Sequence, residues 1–259
     1  WLASLGRPEL ACAFGEWAIS SKAVRFGATA ARPGRSVDAP SADALGDALA
    51  RSVAALQAAG VRPFICFGTL LGYAREGAFI DGDRDIDLGI FHDETDCETA
   101  HQALLRAGLT IDLYEPDPWP CRLQARIPES GVSIDIVFFR REGRHLLTYA
   151  RVFAHVLLRH RTPFGLAPAE FAGVKVLIPD PPELFLDENY GDWRVRADFH
   201  HYILTSPLTD FSDPMVRYVL TRQLAAALRD GNAAQCRALR RLGRRHYPAD
   251  PFWAAEENA

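Results

Sequence analysis

Four aspartates, Asp81, Asp83, Asp85 and Asp87, occupy alternate positions in a stretch that is flanked by apolar residues. If residues 85–91 form a β-strand, the side chains of Asp85 and Asp87 point to the same face of it. Two carboxylates a few ångströms apart repel each other, and one would take up a proton unless a counter-charge is present. A divalent cation removes this penalty, and oxygen-only ligands suit Mg²⁺ or Mn²⁺. The spacing therefore predicts a metal centre on Asp85 and Asp87, with Asp83 as a further candidate ligand.

A solvated loop whose carboxylates all point to water is the alternative interpretation of this stretch. Ile80, Ile86, Leu88 and Ile90 alternate with the acids or flank them. Apolar residues at these positions favour a strand with one buried face over an exposed loop.

A third acid, Asp135, lies inside the apolar segment Ser-Ile-Asp-Ile-Val-Phe-Phe, residues 133–139. An isolated buried carboxylate is costly, so Asp135 needs a partner. It either completes the metal centre or accepts the proton of an acceptor hydroxyl as a base. The alternatives are an exposed strand face or an ion pair with Arg122 or Arg126.

Gly68 and Thr69 follow a short apolar segment and open a turn into a helix. Backbone N–H groups at such a turn can bind phosphates, and metal ions on the carboxylates can neutralise charge that develops during phosphoryl transfer. Arg75 is a candidate for stabilising the donor's pyrophosphate, the alternative being an ordinary surface arginine.

A second set of candidate ligand-binding residues lies further along the chain. Tyr190, Asp192 and Trp193 are candidates for binding a base or an acceptor by stacking, with a structural turn as the alternative.

The elements that must position these residues form an α/β (α+β) pattern: a mixed β-sheet flanked by helices, with a C-terminal helical segment. Helices are predicted over residues 41–60, after Gly68-Thr69, over 95–107, after Pro181-Pro182, and twice between 213 and 246. Strands are predicted over residues 63–67, 85–91, 109–114, 121–127 and 132–139.

Three segments follow from this pattern. Residues 1–40 are predicted to be an N-terminal segment or linker, residues 41–210 the catalytic domain, and residues 211–259 a basic helical segment. Residues 217–246 carry eight arginines and one acid. This basic segment is expected either to pack as a solvated helical pair or to contact an anionic partner, such as a lipid-linked glycan at the membrane.

Composition sets the limits on function. The chain has 259 residues and a net charge of −4, which gives no case for nucleic-acid binding. Five cysteines without a C-x-x-C pair favour a reduced, cytoplasmic protein, placed peripherally at the inner membrane face if the basic segment binds there. No apolar run approaches 18 residues. Because the chain begins at Trp1, we expect it to be a piece of a longer polypeptide.

The order of these motifs resembles that of the DNA polymerase β-like nucleotidyltransferase superfamily. Within it, Gly68-Thr-Leu-Leu-Gly-Tyr-Ala-Arg75 and Asp83-Arg-Asp-Ile-Asp-Leu-Gly-Ile-Phe91 resemble the LicD/fukutin family. Phe171-x-Gly173-x-x-Val176-x-Ile178-Pro179 and Tyr190-Gly-Asp-Trp193 are similar to its downstream motif. One departure is Asp81-Gly82, where the family commonly has Pro-Trp.

The resemblance implies a metal-dependent phosphotransferase with a CDP-activated donor and a sugar hydroxyl of a cell-surface glycan or capsule-type polymer as acceptor. LicD-like members transfer phosphocholine, whereas fukutin-like members transfer ribitol phosphate. Two alternatives stay open: a nucleotidyltransferase that moves a nucleoside monophosphate onto a small molecule or protein, and a non-catalytic module that binds a structural cation.

Overall fold

The computed structural model describes residues 9, 11–13, 15–16, 39–116, 119–153, 155–197 and 200–254. The chain divides into two compact units. The first unit contains residues 37–149 and 158–195, and the second contains residues 150–157 and 196–259 together with the chain before residue 37.

The helices of the first unit are, in chain order, α1 (Ala42–Ala58), α2 (Phe67–Glu76), α3 (Cys97–Arg106) and α4 (Pro182–Tyr190). Helix α1 begins where the sequence predicts, because the Ser41 hydroxyl accepts a hydrogen bond from the Ala44 amide at 3.2 Å. Its buried face carries Leu45, Leu49 and Leu56 at helical spacing.

The strands are, in chain order, β1 (Phe64–Ile65), β2 (Asp85–Phe91), β3 (Thr110–Glu115), β4 (Arg122–Arg126), β5 (Ser133–Glu142), β6 (His145–Val152), β7 (His155–Arg161), β8 (Gly165–Phe171) and β9 (Val174–Asp180). In the described ranges they form a nine-stranded sheet in the order β3-β4-β5-β2-β1-β9-β8, with β6 paired to β5 and β7 paired to β6. Strands β2 and β5 run parallel, whereas β4 and β5 run antiparallel. The predicted mixed sheet flanked by helices is therefore confirmed.

The core lies against one face of β2. Ile86 and Leu88 are fully buried in this strand, so the solvated-loop alternative for the acidic stretch is wrong. The Phe64 ring lies so close to Gly89 that a Cβ atom there would be 2.3 Å from it. Gly89 is required because no side chain fits between β2 and this ring.

Strands β6 to β9 are absent from the sequence prediction. Strand β8 reads Gly-Leu-Ala-Pro-Ala-Glu-Phe, a composition with little intrinsic preference for a strand. It is held by antiparallel pairing with β9, in which Pro168 stands opposite Leu177. Strand β8 lies at the end of the sheet order, and edge strands are where a sheet tolerates proline.

The second unit contains α5 (Pro214–Arg229), α6 (Ala233–His246) and α7 (Pro251–Ala254). The two longer helices confirm the prediction for residues 213–246. The Asp213 side chain caps the N-terminus of α5 and the Asn232 side chain caps that of α6, because each accepts a hydrogen bond from a backbone amide in the first turn. None of the helices in the described ranges combines the length and the apolar character needed to cross a bilayer.

Candidate metal centre

Three carboxylates come together on one face of the neighbouring strands β2 and β5, opposite the face that carries Ile86 and Leu88. The two strands are parallel and in register, so Asp87 stands opposite Asp135 and Asp85 stands opposite Ser133. Asp85, Asp87 and Asp135 each offer one oxygen, and these oxygens all lie within 4.8 Å of one another. Oxygen ligands of one Mg²⁺ ion lie at most about 4.2 Å apart, so small side-chain rotations would bring the three carboxylates onto one ion. The donor set therefore fits a single Mg²⁺ or Mn²⁺ ion, both of which take oxygen ligands.

Asp87 is fixed by the first turn of α2. The Gly68 amide donates to Asp87 Oδ2 at 2.8 Å, and the Asp87 amide donates to the Thr69 hydroxyl at 2.9 Å. Cys66 precedes the helix without a side-chain cap, so Asp87 satisfies one of the free amides of that turn. A Cβ atom on Gly68 would lie 3.1 Å from the same oxygen, so glycine permits this close approach.

The same contacts bear on the predicted phosphate-binding role of Gly68 and Thr69. In the structure the Gly68 amide and the Thr69 hydroxyl contact Asp87, and Thr69 is 1% exposed. Gly68 and Thr69 thus hold Asp87 in place through these two hydrogen bonds. Binding of donor phosphates by these residues stays a prediction.

Asp135 is held by an amide partner. Gln124 stands opposite it on β4, and Gln124 Nε2 donates to Asp135 Oδ1 at 2.6 Å. Arg126 pairs with Asp112, while Arg122 approaches Glu115 at 3.6 Å. The direct contact of Asp135 is therefore the hydrogen bond from Gln124, while Arg122 also lies near enough for its charge to lower the pKa of Asp135.

The electrostatics of the cluster call for a cation. Burial raises the pKa of Asp87 well above its usual range, and the charges of Asp85 and Asp135 raise it further. Burial and then the charge of Asp85 raise the pKa of Asp83 to about 6. Burial also raises the pKa of Asp135, although the hydrogen bond from Gln124 opposes this. A bound divalent cation would favour the charged form of each carboxylate.

Asp83 lies near Asp85 but is not one of the three residues whose carboxylate oxygens lie within 4.8 Å of one another. It is half-buried, and Asp85 is the charge that acts on it most. Its place as a further metal ligand stays a prediction. Asp81, the first acid of the series, is exposed.

Arg75 lies in the last turn of α2. It is seven residues beyond Gly68, which corresponds to about 10 Å along the helix axis. Its guanidinium donates to Glu76 at 2.9 Å. The helix thus separates Arg75 from the Gly68 turn along its axis, and its contact with donor phosphates stays a prediction.

The downstream candidates fall in different environments. The Tyr190 side chain lies near the acids, because after burial the charge of Asp87 is the largest cause that raises its pKa. Asp192 is exposed. Trp193 is 7% exposed, its indole N–H donates to Asp187 at 2.9 Å, and the Arg194 guanidinium lies 4.2 Å from its ring. Trp193 thus packs in the core, and binding of a base or an acceptor by these residues stays a prediction.

Two site-related residues have no counterpart in the sequence prediction. Gln124 contacts Asp135, and Arg161 is buried near Cys66 and Tyr190, whose pKa values its charge lowers. Gln124 shows a weak signal in the sequence, because it alternates with Leu123 and Ala125 and therefore points away from the core. Arg161 shows none.

An Asp-x-Asp strand, a third aspartate on a neighbouring strand and a Gly-Thr helix that holds one of the acids form an arrangement that resembles the metal site of a nucleotidyltransferase domain. Residues 60–180 match the family model described as "LicD/FKTN/FKRP, nucleotidyltransferase domain". This part of the chain is similar to that family, and it contains all three carboxylates as well as Gly68 and Thr69.

Three relatives illustrate the similarity. The chain is 30% identical over 146 residues to the ribitol-5-phosphate transferase FKTN of Mus musculus, covering 52% of this chain and 30% of that protein. It is 43% identical over 152 residues to the ribitol 5-phosphate transferase FKRP of Homo sapiens, covering 54% and 29%. It is 23% identical over 175 residues to an uncharacterized protein of Rickettsia prowazekii (strain Madrid E), covering 63% and 60%. The chain thus spans less than a third of the length of the two transferases.

Proposed function

We propose that this chain is a metal-dependent phosphotransferase that moves a phospho-alditol or phosphocholine group from a CDP-activated donor to a sugar hydroxyl. The acceptor would be a cell-surface glycan or capsule-type polymer, and the reaction would take place in the cytoplasm or at the inner membrane face. The observation that carries the proposal is the convergence of Asp85, Asp87 and Asp135 within 4.8 Å. It receives support from the similarity of the same region to two ribitol 5-phosphate transferases.

The chemistry requires a new P–O bond to the acceptor oxygen, cleavage of the bond to CMP, and removal of the hydroxyl proton. Mg²⁺ or Mn²⁺ held by Asp85, Asp87 and Asp135 would neutralise charge on the transferred group. The first turn of α2 orients Asp87, and Gln124 fixes one oxygen of Asp135. In the alternative role, Asp135 would leave the cation to Asp85 and Asp87 and accept the hydroxyl proton as a base.

Donor-dependent release of CMP tests this function. The purified chain would be incubated with Mg²⁺, a glycan acceptor and, in turn, CDP-ribitol, CDP-glycerol and CDP-choline. We expect CMP release and a phosphodiester on the sugar with one donor, and loss of both in Asp85→Asn. Asp81→Asn is the matched control, because Asp81 is an exposed acid in the same stretch.

A different product would identify the rival function. Release of pyrophosphate from a nucleoside triphosphate, with the nucleotide retained on the product, would favour the nucleotidyltransferase reaction over the phosphotransferase. Tight cation binding without turnover of any donor would favour the non-catalytic module.

A further inference from the structure

Arg161 is a buried cation at the end of β7. Its side chain is 0% exposed, which is rare for arginine, and the charge of Glu188 acts on it from nearby. Its guanidinium carbon lies 5.3 Å from the ring centre of Phe67 and 4.9 Å from that of Phe185. Nε donates to the Thr148 hydroxyl at 2.9 Å, and Nη2 donates to Asn189 Oδ1 at 2.6 Å.

The partners of Arg161 stand directly before residues of the metal centre. Phe67 precedes Gly68, whose amide holds Asp87. Asn189 precedes Tyr190, whose pKa is raised by burial and then by the charge of Asp87. One guanidinium thus contacts both chain segments that approach this carboxylate.

Phe67 has a backbone conformation that needs external support. Its φ angle is +40°, in the left-handed region that residues other than glycine rarely adopt. Such a conformation costs free energy and persists only where the surroundings hold it. The Phe67 ring is held by the Arg161 guanidinium and by the Phe185 ring, whose centre lies 5.3 Å away. These contacts fix the direction in which Gly68 presents its amide.

A packing role alone does not account for a charge at this place. Burial lowers the pKa of Arg161 to about 9, and its Nη1 atom has no hydrogen-bond partner among the described residues. An apolar side chain of similar volume commonly packs as well as a buried charge, or better. The guanidinium offers what such a side chain lacks, namely a planar contact to two aromatic rings and a directed hydrogen bond to Asn189.

We propose that Arg161 is a positioning residue of the metal centre, tying Phe67 to Asn189 and thereby directing the Gly68 amide toward Asp87. The inference rests on the proposed function only in that both concern the same carboxylates. Partners behind a metal ligand commonly change metal affinity by about 10- to 100-fold when they are removed.

Titration with Mn²⁺ alone, followed by the electron paramagnetic resonance signal of free Mn²⁺, tests the role without any donor. Arg161→Lys keeps the charge but loses the planar contact, and Arg161→Met keeps the approximate volume but loses the charge. We expect both folded variants to bind Mn²⁺ at least about tenfold more weakly than wild type. Near-wild-type affinity in both would overturn the inference, whatever their melting temperatures.

Thr148→Val is the matched control, because it removes the other hydrogen bond of the same guanidinium and leaves Phe67 and Asn189 in place. We expect a lower melting temperature with Mn²⁺ affinity within about threefold of wild type. An affinity loss equal to that of Arg161→Lys would overturn the inference, because destabilisation of the core would then suffice to weaken metal binding.

If the Arg161 variants do not fold, Phe67→Leu and Asn189→Leu test the same contacts, because each removes one partner of the Arg161 guanidinium. Each should weaken Mn²⁺ binding, and wild-type affinity in both would overturn the inference. Release of CMP is measured separately on the same proteins. If the variants lose Mn²⁺ affinity and the wild-type protein releases no CMP from any CDP donor, the role of Arg161 is upheld and the proposed function is refuted.

Discussion

Asp87 is held in place by more contacts than the other aspartates of the acidic stretch. It accepts from the Gly68 amide, donates its own amide to Thr69, and lies between Asp85 and Asp135. A metal ligand with such support has a fixed orientation before the cation arrives, which lowers the cost of ordering the site on binding.

Asp85→Asn and Asp87→Asn should each lower turnover roughly a hundredfold, or about 3 kcal/mol of transition-state stabilisation, because each removes a metal ligand. We expect the fold to survive, since loss of one charge relieves repulsion within the cluster. Initial rates at saturating Mg²⁺, with circular dichroism as the check on folding, measure the effect. Near-wild-type turnover in either variant would remove that residue from the site.

Asp135→Asn should abolish turnover while leaving the melting temperature close to that of wild type. The amide keeps an oxygen that accepts from Gln124, so the structural contact survives while the charge is lost. Rates and thermal melts on the same preparation separate the two roles. A large thermal loss with activity retained in the folded fraction would show that Asp135 is structural.

Asp83 should make the stability of the metal-free protein depend on pH. Burial and the charge of Asp85 raise its pKa to about 6 from 3.8. A raised carboxyl pKa stabilises the folded state at pH values below the unfolded pKa, and this contribution is lost as the pH rises through the folded pKa. In EDTA, the free energy of unfolding of wild type relative to Asp83→Asn should therefore fall between pH 4 and pH 7. Urea denaturation across this range measures it, and a constant difference would contradict the shift.

The strand positions of the acids could be predicted from the sequence because their own segments show their environment, whereas their role as metal ligands stays a prediction. Asp85 and Asp87 alternate with apolar residues, and Asp135 interrupts an apolar strand, so each stands out locally. Gln124 and Arg161 act through the β4–β5 register and through packing between distant segments. Such pairings arise only when the sheet is assembled, so no local pattern indicates them.

The same contrast holds for secondary structure. Helix α1 and strands β2 and β5 have clear periodicity, and the sequence predicts them. Strands β6 to β8 mix arginine, histidine, proline or glycine with apolar residues, so their propensity is weak and pairing between strands decides their form. Strand β9 is rich in β-branched residues, and its own sequence is sufficient to predict it.

Helix α6 is the element best suited to an anionic partner. Of the eight arginines in residues 217–246, Arg217 pairs with Glu16 and Asp250, and Arg229 pairs with Asp230. Arg237, Arg241 and Arg245 are exposed and spaced four residues apart, so they share one face of α6.

Replacing Arg237, Arg241 and Arg245 together by Gln should weaken binding of the chain to vesicles that contain an anionic lipid. The expected loss is on the order of 1 kcal/mol per arginine, screened by salt, while turnover on a short soluble acceptor is unchanged. Sedimentation with phosphatidylserine vesicles measures it, and Arg222→Gln on α5 serves as a single-charge control. Equal binding by wild type and the triple variant at low salt would leave these arginines only a solvated role.

Within the chain as a whole, the three carboxylates belong to the first unit and α5 and α6 to the second. Cation binding to the folded state stabilises it by about 2.7 kcal/mol when the free ion is at a hundred times its dissociation constant. The effect of the ion should be strongest where its ligands are held.

Mn²⁺ should therefore slow amide hydrogen exchange in β2 and β5 more than in α5. Exchange followed by mass spectrometry, with and without EDTA, measures this, and Asp87→Asn should abolish the difference. Equal protection of β2, β5 and α5 would mean that the ion acts on both units alike.

The two faces of β2 have a consequence for how this chain can vary. Ile86 and Leu88 face the core while Asp85 and Asp87 face the opposite side. An insertion or deletion of one residue inside the strand would invert this frame, burying carboxylates and exposing the core side chains at the same time. Asp81 and Gly82 in the preceding turn are exposed, and a change of length there leaves the alternation within β2 unchanged. A one-residue change in length is therefore compatible with the metal centre at Asp81-Gly82 and incompatible with it inside β2.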